Sequence, residues 1–401
     1  MDRKKLTTKL LTAIFAITLS TFSAFAQHDD HHATTDQIPN NETETDEALK
    51  HDTNEHEKGF DLSGFILHHV SDDYSFHIIK DYYVWLPVII YDPSTGLDVF
   101  LSSELHHPDP VTNLTRGKYY YHHGTLTIPE LKNGFVQFDE HGHPIGKHEA
   151  KLTSMASPHV FFNFSITKNV FGLLLSGFLL ILIFTAVARA YKKRGTDVAP
   201  RGLQNAMEAL IIFVKVEIAE PFIGKEKTPR FLPYLLTVFF FIWINNLLGL
   251  IPIFPGSANV SGNIAFTFTL AFLSLLLVFI FGRKHFWGHI FWYPGVPVPV
   301  KLLLAVLEFL GVFTKPFSLM IRLFANITAG HIIIMSIIGI TFITQNYVVG
   351  GVTSVFSVVM FLLELLVAAI QAYIFTLLTA QMIGAAIEEP HHDHAHEEAH
   401  H

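Results

Sequence analysis

The sequence predicts a mainly α-helical, polytopic membrane protein. Two long, steeply tilted helices form a hairpin at its end, and a small β-containing extracytoplasmic module precedes the membrane part. Three observations predict it. Half of the 401 residues are hydrophobic and only 15% are charged, with a positive mean hydropathy. Apolar runs long enough to cross a bilayer recur from residue 170 onward. In the last third, two apolar segments (298–345 and 350–387) each run to roughly 40 residues, about twice what an upright span needs.

The N-terminus reads MDRKK, then LLTAIFAITLSTFSAFA, ending in Ala24-Phe25-Ala26. A basic start, an apolar run and a small-x-small site predict a signal peptide over 1–26, cut near Gln27. An uncleaved first transmembrane helix is the rival, and the shortness of the run speaks against it. Cleavage leaves the mature N-terminus outside. Residues 27–59 are rich in His, Asp, Glu, Thr and Asn with almost nothing apolar to bury, and read as a disordered tether. From 60 to 160 the character changes. YYVWLPVII (82–90), KYYYHHGTLTI (118–128) and GFVQF (134–138) predict strands, with Asn133-Gly134 as a turn. The chain has no cysteine, so disulfides and thiolate metal sites are excluded.

The membrane domain is expected over 161–388. VFGLLLSGFLLILIFTAVARA (170–190) is a first span, followed by Arg189, Lys192, Lys193, Arg194 and Arg201. By the positive-inside rule that cluster is cytoplasmic, so the span runs from outside to inside. LQNAMEALIIFVKVEIAEPFIG (203–224) is amphipathic at helical spacing and is expected to lie along the inner interface. A span over about 231–253, an outer loop free of Lys and Arg (254–262), and a return span over about 263–282 ending at Arg283-Lys284 complete the short helices. In the last third Lys315-Pro316 and Gly350-Gly351 are the only apparent breaks, which favours long tilted helices over pairs of short ones. A His-rich cytoplasmic tail, 389–401, ends the chain.

Arg322 is the candidate that carries most information. Its guanidinium stays charged at any accessible pH, and placing it at membrane depth costs at least about 2.5–3.5 kcal/mol. Lys301, Glu308, Lys315 and Arg322 recur every seven residues, on one slowly drifting stripe. An exposed polar face explains the earlier three, but Arg322 is set among Ile321, Leu323 and Phe324. His331, nine residues on, falls near the opposite face of the helix. A lone histidine among isoleucines is most often a satisfied core residue. The second long segment alters that reading, because Glu364 and Gln371 are seven apart on one face of FLLELLVAAIQAYIFTLL. An antiparallel hairpin brings Glu364 towards His331 and Gln371 towards Arg322. A His–carboxylate pair can exchange protons near neutral pH, whereas Arg322 can only attract and ionise a carboxylate on another chain.

SLMIRLFANITAGH and LLVAAIQAYIFTLL, with FLPYLLTVFFFIWINNLLGLIP and FILHHVSDDYSFHI, resemble the subunit a family of F-type rotary ATP synthases. The resemblance covers about 160–390. It implies that Arg322 is the stator arginine facing a carboxylate of the c-ring, with Gln371 beside it and Asn326 by the same path. It implies a coupled acid–histidine pair at His331 and Glu364, and an outer half-channel lined by Asn246 and Asn263. Where some relatives carry acids near the outer entrance, this chain has Gly249 and Ser261. The implied partners are the c-ring, subunit b of the peripheral stalk, other synthase subunits and the lipid bilayer. No cofactor, metal or nucleic acid is implied. The implied place is the bacterial plasma (inner) membrane, with the mature N-terminus outside and the C-terminus in the cytoplasm.

Two other classes compete. A His-rich metal-ion transporter is raised by 25 histidines, but sixteen precede residue 160 and six lie in HHDHAHEEAHH. A divalent-cation conduit would also be blocked by Arg322. A purely structural scaffold would tolerate neutral residues at Arg322, Glu364 and Gln371 together. No G-x-x-x-x-G-K-[ST] loop is present, so no nucleotide chemistry is expected in this chain.

Overall fold

The computed structural model describes residues 66, 71–79, 82–106, 114–122, 125–132, 135–138, 144–149, 160–195, 199–251, 254–256, 258–292 and 297–388. The expected signal peptide, tether and C-terminal tail lie outside these described residues.

Short alternating runs build the first unit. β1 (Ser75–Ile79) pairs antiparallel with β2 (Tyr82–Trp85). β3 (Pro87–Asp92) follows after Leu86, so the single strand expected over 82–90 is two. Pro87 has no amide for a ladder, and the Leu86 amide turns instead to Ser102 Oγ at 2.9 Å. β4 (Gly96–Leu101), β5 (Tyr120–His122) and β6 (Thr125–Pro129) come next. β7 (Leu131–Lys132) and β8 (Phe135–Val136) make a separate hairpin, whose expected Asn133-Gly134 turn lies outside the described residues. β9 (Gly146–Glu149) and β10 (Val160–Asn163) complete a six-stranded sheet in the order β4-β3-β10-β9-β6-β5. Among the described strands only β9 and β10 run parallel. Val88, Ile90, Phe100, Tyr119, Leu126 and Phe161 fill the core beneath it.

Helices take over at Thr167, whose hydroxyl accepts from the Val170 amide and caps α1 (Lys168–Arg194). α2 (Leu203–Phe213) passes through a π-helical turn, Val214–Ala219, into α3 (Glu220–Ile223). α4 (Thr228–Leu250) and α5 (Ile264–Phe281) match the short spans to within three residues. α6 (Lys284–Phe291) was not foreseen; it begins at Lys284, directly after Arg283. α7 (Val298–Thr344) and α8 (Tyr347–Ile387) are the two long helices. Among the described residues five helices (α1, α4, α5, α7 and α8) are long and apolar enough to cross a membrane.

Neither expected break interrupts a helix: Pro316 lies inside α7 and Gly350-Gly351 inside α8. The hairpin turns at Gln345, in the left-handed region at φ 45°, and at Asn346, whose side chain accepts from the Val348 amide at 2.9 Å. With 47 residues, α7 is about 70 Å long, against an apolar core of about 30 Å.

The far end of α8 is tied down. Lys227 Nζ donates to the Ile387 carbonyl at 3.1 Å and the Arg283 amide to the Ala386 carbonyl at 3.0 Å. Both relieve carbonyls that a helix end leaves unpaired. Gly384 lets α8 approach α3 closely; a Cβ there would stand 2.1 Å from the Phe222 carbonyl oxygen. At the opposite end of the bundle the β unit is fastened to the start of α1. The Lys168 amide donates to Asp73 O (2.8 Å) and the Asn169 amide to Asp72 Oδ1 (3.1 Å). Phe76 of β1 packs edge-on against Phe171 of α1 and Phe254 of the α4–α5 loop, with ring centroids 5.4 Å apart in both cases.

Candidate functional site

The hairpin is antiparallel, so residues of α7 and α8 meet in reverse order. Thr341 Oγ1 and Thr353 Oγ1 are 2.6 Å apart near the turn, and deeper polar pairs follow at His331–Glu364 and Asn326–Gln371.

His331 Nδ1 lies 2.9 Å from Glu364 Oε1. The same nitrogen is 3.0 Å from the Ile327 carbonyl one turn back, and Nε2 is 3.2 Å from the Gly249 carbonyl of α4. Both ring nitrogens therefore face acceptors. A neutral imidazole has one N–H and satisfies one side; an imidazolium satisfies both. The Glu364 carboxylate is 5% exposed, and its Oε2 has no hydrogen-bond partner among the described residues. What admits it is Gly330. A Cβ there would stand 2.7 Å from Oε1 and 2.9 Å from Cδ, so the carboxyl rests against bare backbone.

One to two turns further from the hairpin loop, Asn326 Nδ2 donates to Gln371 Oε1 at 3.2 Å. Gln371, expected beside Arg322, thus makes its hydrogen bond to Asn326, one turn nearer the loop. Gln371 is buried, while Asn326 and Arg322 keep part of their surface open. Among the described residues Arg322 makes no hydrogen bond and no ion pair. Of the other stripe members, Glu308 and Lys315 are exposed and Lys301 covers the Trp292 ring at 4.6 Å.

Towards the β unit, Asn246 is 2% exposed and accepts from Ser261 Oγ at 2.6 Å, while its Nδ2 is buried without a partner among the described residues. Asn263 caps α5, its Oδ1 accepting from the Ala265 and Phe266 amides at 2.9 and 3.4 Å. Its carbonyl oxygen is thereby committed to holding the helix start. On the far side of the bundle Ser274 of α5 joins Tyr234 of α4 (3.1 Å) and Thr379 of α8 (3.3 Å). This hydroxyl link across three helices was not anticipated, nor were Gly330 and the Gly249 carbonyl as parts of the site. A sequence signal existed for Gly330 alone: Ala329-Gly330 leaves a notch of small residues beside a polar one in an otherwise bulky helix.

The arrangement can do two separate things. The His331–Glu364 pair can pass a proton between an imidazole and a carboxylate, on the side of the bundle that carries Asn246 and Ser261. Arg322 holds a charge that nothing described in this chain neutralises.

The family model for the ATP synthase A chain matches residues 170–384, more than half of the chain, and that of a domain of unknown function, DUF8433, matches 65–154. The ATP synthase subunit a of Chloroherpeton thalassium is 42% identical over 242 residues, covering 59% of this chain and 71% of the relative. That of Chlorobium phaeobacteroides (strain DSM 266) is 43% identical over 247 residues, 60% and 70% respectively. That of Pelodictyon phaeoclathratiforme is 41% identical over 279 residues, 68% and 78%.

Proposed function

This chain belongs to the ATP synthase A chain family, and from that premise we infer how its helix hairpin performs the proton-channel stator role of an F-type synthase. The stator couples proton flow to ATP synthesis or hydrolysis, in a complex with the other synthase subunits. The metal-transporter alternative finds no support in the comparisons.

In our reading the moving carboxylate belongs to the c-ring, and protons reach it by two offset half-channels. A proton enters from outside past Asn246 and Ser261 and is relayed through His331 and Glu364 to a ring carboxylate. Imidazole titrates near neutral pH, and the backbone acceptors at Ile327 and Gly249 hold the ring towards the carboxylate. The neutralised ring carboxylate can then turn to face lipid. After nearly a full revolution it releases its proton to the inner half-channel and passes Arg322 as an anion. Asn326 and Gln371 hold each other beside that passage. Arg322 also blocks direct cation leakage between the two half-channels. Each charge crossing 100 mV supplies about 2.3 kcal/mol, so several protons are needed per ATP.

The orientation we propose puts the signal-cleaved N-terminus and the β unit outside a bacterial plasma membrane and the C-terminal tail in the cytoplasm. Arg189, Lys192 and Lys193 at the end of α1 and Arg283-Lys284 after α5 support it, since both clusters lie at inner ends in this topology. α7 and α8 lie steeply tilted along the ring, which their length requires. Subunit b of the peripheral stalk is the further partner.

The observation that carries the reading is the unneutralised Arg322 on the same helix as the His331–Glu364 pair. Arg322→Ala tests it in inverted membrane vesicles, by ATP-driven acidification with assembly checked by co-purification. Pumping should vanish while the complex stays intact; normal pumping would make the arginine structural and end the stator assignment of this residue.

A further inference from the structure

Strands β4, β3 and β10 carry an inverted pattern. The registers Pro87↔Leu101, Ile89↔Val99 and Tyr91↔Leu97 set β3 against β4, and Phe162↔Tyr91 sets β10 against β3. Amide bonds from Phe164 to Ile89 O (2.8 Å) and from Ile166 to Pro87 O (3.1 Å) carry the β10 pairing down to the start of α1. Side chains alternate across a strand, so one face presents three rows: Ile166, Pro87, Leu101; then Phe164, Ile89, Val99; then Phe162, Tyr91, Leu97. All nine are apolar or aromatic. The polar residues Asn163, Ser165 and Asp92 point the other way and are buried.

The face is open. Leu97 is 66% exposed, Val99 54%, Phe164 53%, Leu101 46% and Tyr91 43%. Together they present on the order of 500 Å² of apolar surface, the size at which a patch marks a contact. Its height separates two possible covers. Leu86, just before β3, packs with the membrane-helix cluster, whereas Val88 and Ile90 belong to the core of the β unit. β3 therefore leads away from the membrane level. From Pro87 to Tyr91 the strand rises about 13 Å, while one headgroup layer is only about 5–7 Å thick. Lipid can cover the lowest row, but not the upper two. α1, which continues directly from β10, is itself a mostly unburied span, with 17% of its most apolar window inside the bundle.

We propose that this face docks another subunit of the same synthase: one that spans the membrane beside α1 and presents an uncharged apolar segment just outside it. The proposal rests on membership of the synthase family and deepens it by giving the β unit a stator-assembly role. A photoreactive benzoylphenylalanine placed at Leu97 or Val99 of the whole complex, in its native membrane, tests it. The control position is Leu131, exposed on β7 away from the face. Irradiation should join Leu97 and Val99 sites, but not Leu131, to a subunit that co-purifies in fixed ratio with the synthase. Val99→Glu should lower the recovery of that subunit at least tenfold after detergent extraction. Adducts only to lipid, to a second copy of this chain or within the chain, or no adduct at all, would overturn the proposal. The readout is independent of proton pumping, so it stands or falls apart from the roles of Arg322, His331 and Glu364.

Discussion

Replacing Gly330 with alanine inserts one methyl group between the two helices of the hairpin. Built on the native backbone, that carbon stands 2.7 Å from Glu364 Oε1, where ordinary contact begins at 3.4 Å. The carboxyl must retreat by roughly 0.7 Å, away from α7 and so away from His331, which follows Gly330 on the same helix. The pair then opens from 2.9 Å to about 3.6 Å, which weakens the attraction of opposite charges by about 1 kcal/mol at an effective dielectric of 20. Misplacement of a proton-transfer partner on this scale costs up to about 100-fold in rate. The expectation is therefore a roughly 10-fold slower initial rate of ATP-driven acidification in inverted vesicles, normalised to assembled complex. Unfolding is not the cause, since Gly→Ala inside a helix favours the helix by about 1 kcal/mol. Glu364→Asp in the same chain shortens the acid by one methylene and should recover part of the rate. Two results would refute the reasoning: pumping within twofold of the parent, or an equal further loss when Gly330→Ala is added to Glu364→Gln.

Asn326→Ala and Gln371→Leu each break the same 3.2 Å hydrogen bond; their pumping losses should be clearly less than additive when combined, as a double-mutant comparison of vesicle rates can show. Phe76→Ala removes the ring wedged between Phe171 and Phe254 and should cost about 3–5 kcal/mol of local packing. Amide exchange measured by mass spectrometry should rise in β1 and β2 while the α7–α8 pairing keeps its protection. Burial pushes the Asp92 carboxyl up, but hydrogen bonds from the Ser94 amide and hydroxyl and from Lys147 outweigh it and hold the group at about 2 rather than 3.8. A lowered folded value means the stabilisation is present above about pH 4 and lost as the pH falls through about 2. Asp92→Asn should thus loosen β3 and β4 at pH 7, and its difference from the parent should fade between pH 4 and pH 2 in matched amide-exchange runs.

Much of this molecule was legible because membrane physics leaves few solutions. Runs of bulky apolar residues located α1, α4 and α5, and the excess length of the last two segments announced a hairpin of long helices. The turn falls at Gln345-Asn346, at the end of the first segment, although Gly350-Gly351 and Pro316 look like punctuation. Both lie inside helices, and at Gly350 the missing Cβ matters, since one built there would stand 3.2 Å from Thr341 Cγ2. Polar residues in an apolar setting pointed to Arg322, His331, Glu364 and Gln371. What could not be read was backbone participation. The Gly249 carbonyl carries no side-chain signature, and the part played by Gly330 depends on which residue of α8 lies across from it. The apolar outer face of β4, β3 and β10 was equally hidden, since alternation alone does not say which side is buried.

The charge inventory of the hairpin bears on how the ring must move. His331 has acceptors at both ring nitrogens, and Asn326 and Gln371 satisfy each other. Glu308 and Lys315 are exposed, but Arg322 is half-buried and keeps a full charge with no partner among the described residues and apolar neighbours on either side in sequence. At membrane depth such a charge costs at least about 2.5–3.5 kcal/mol, and the described residues offer nothing to offset it. On the stator reading an anionic ring carboxylate supplies the missing partner, so the complex is most stable with one deprotonated carboxylate at the arginine. That same attraction resists its departure. Glu364 and His331 then matter by their position: displaced from Arg322 along α7, they protonate a ring site only after it has left the guanidinium. A proton donor adjacent to Arg322 would neutralise the carboxylate in place, discharge the pair without rotation and uncouple the machine. On that reading the separation along α7 belongs to the mechanism as much as the residues do. Moving the His–Glu pair one turn closer to Arg322 should therefore open a proton leak while abolishing ATP-driven pumping. Retained, tightly coupled pumping in such a variant would show that proximity to the arginine carries no such penalty.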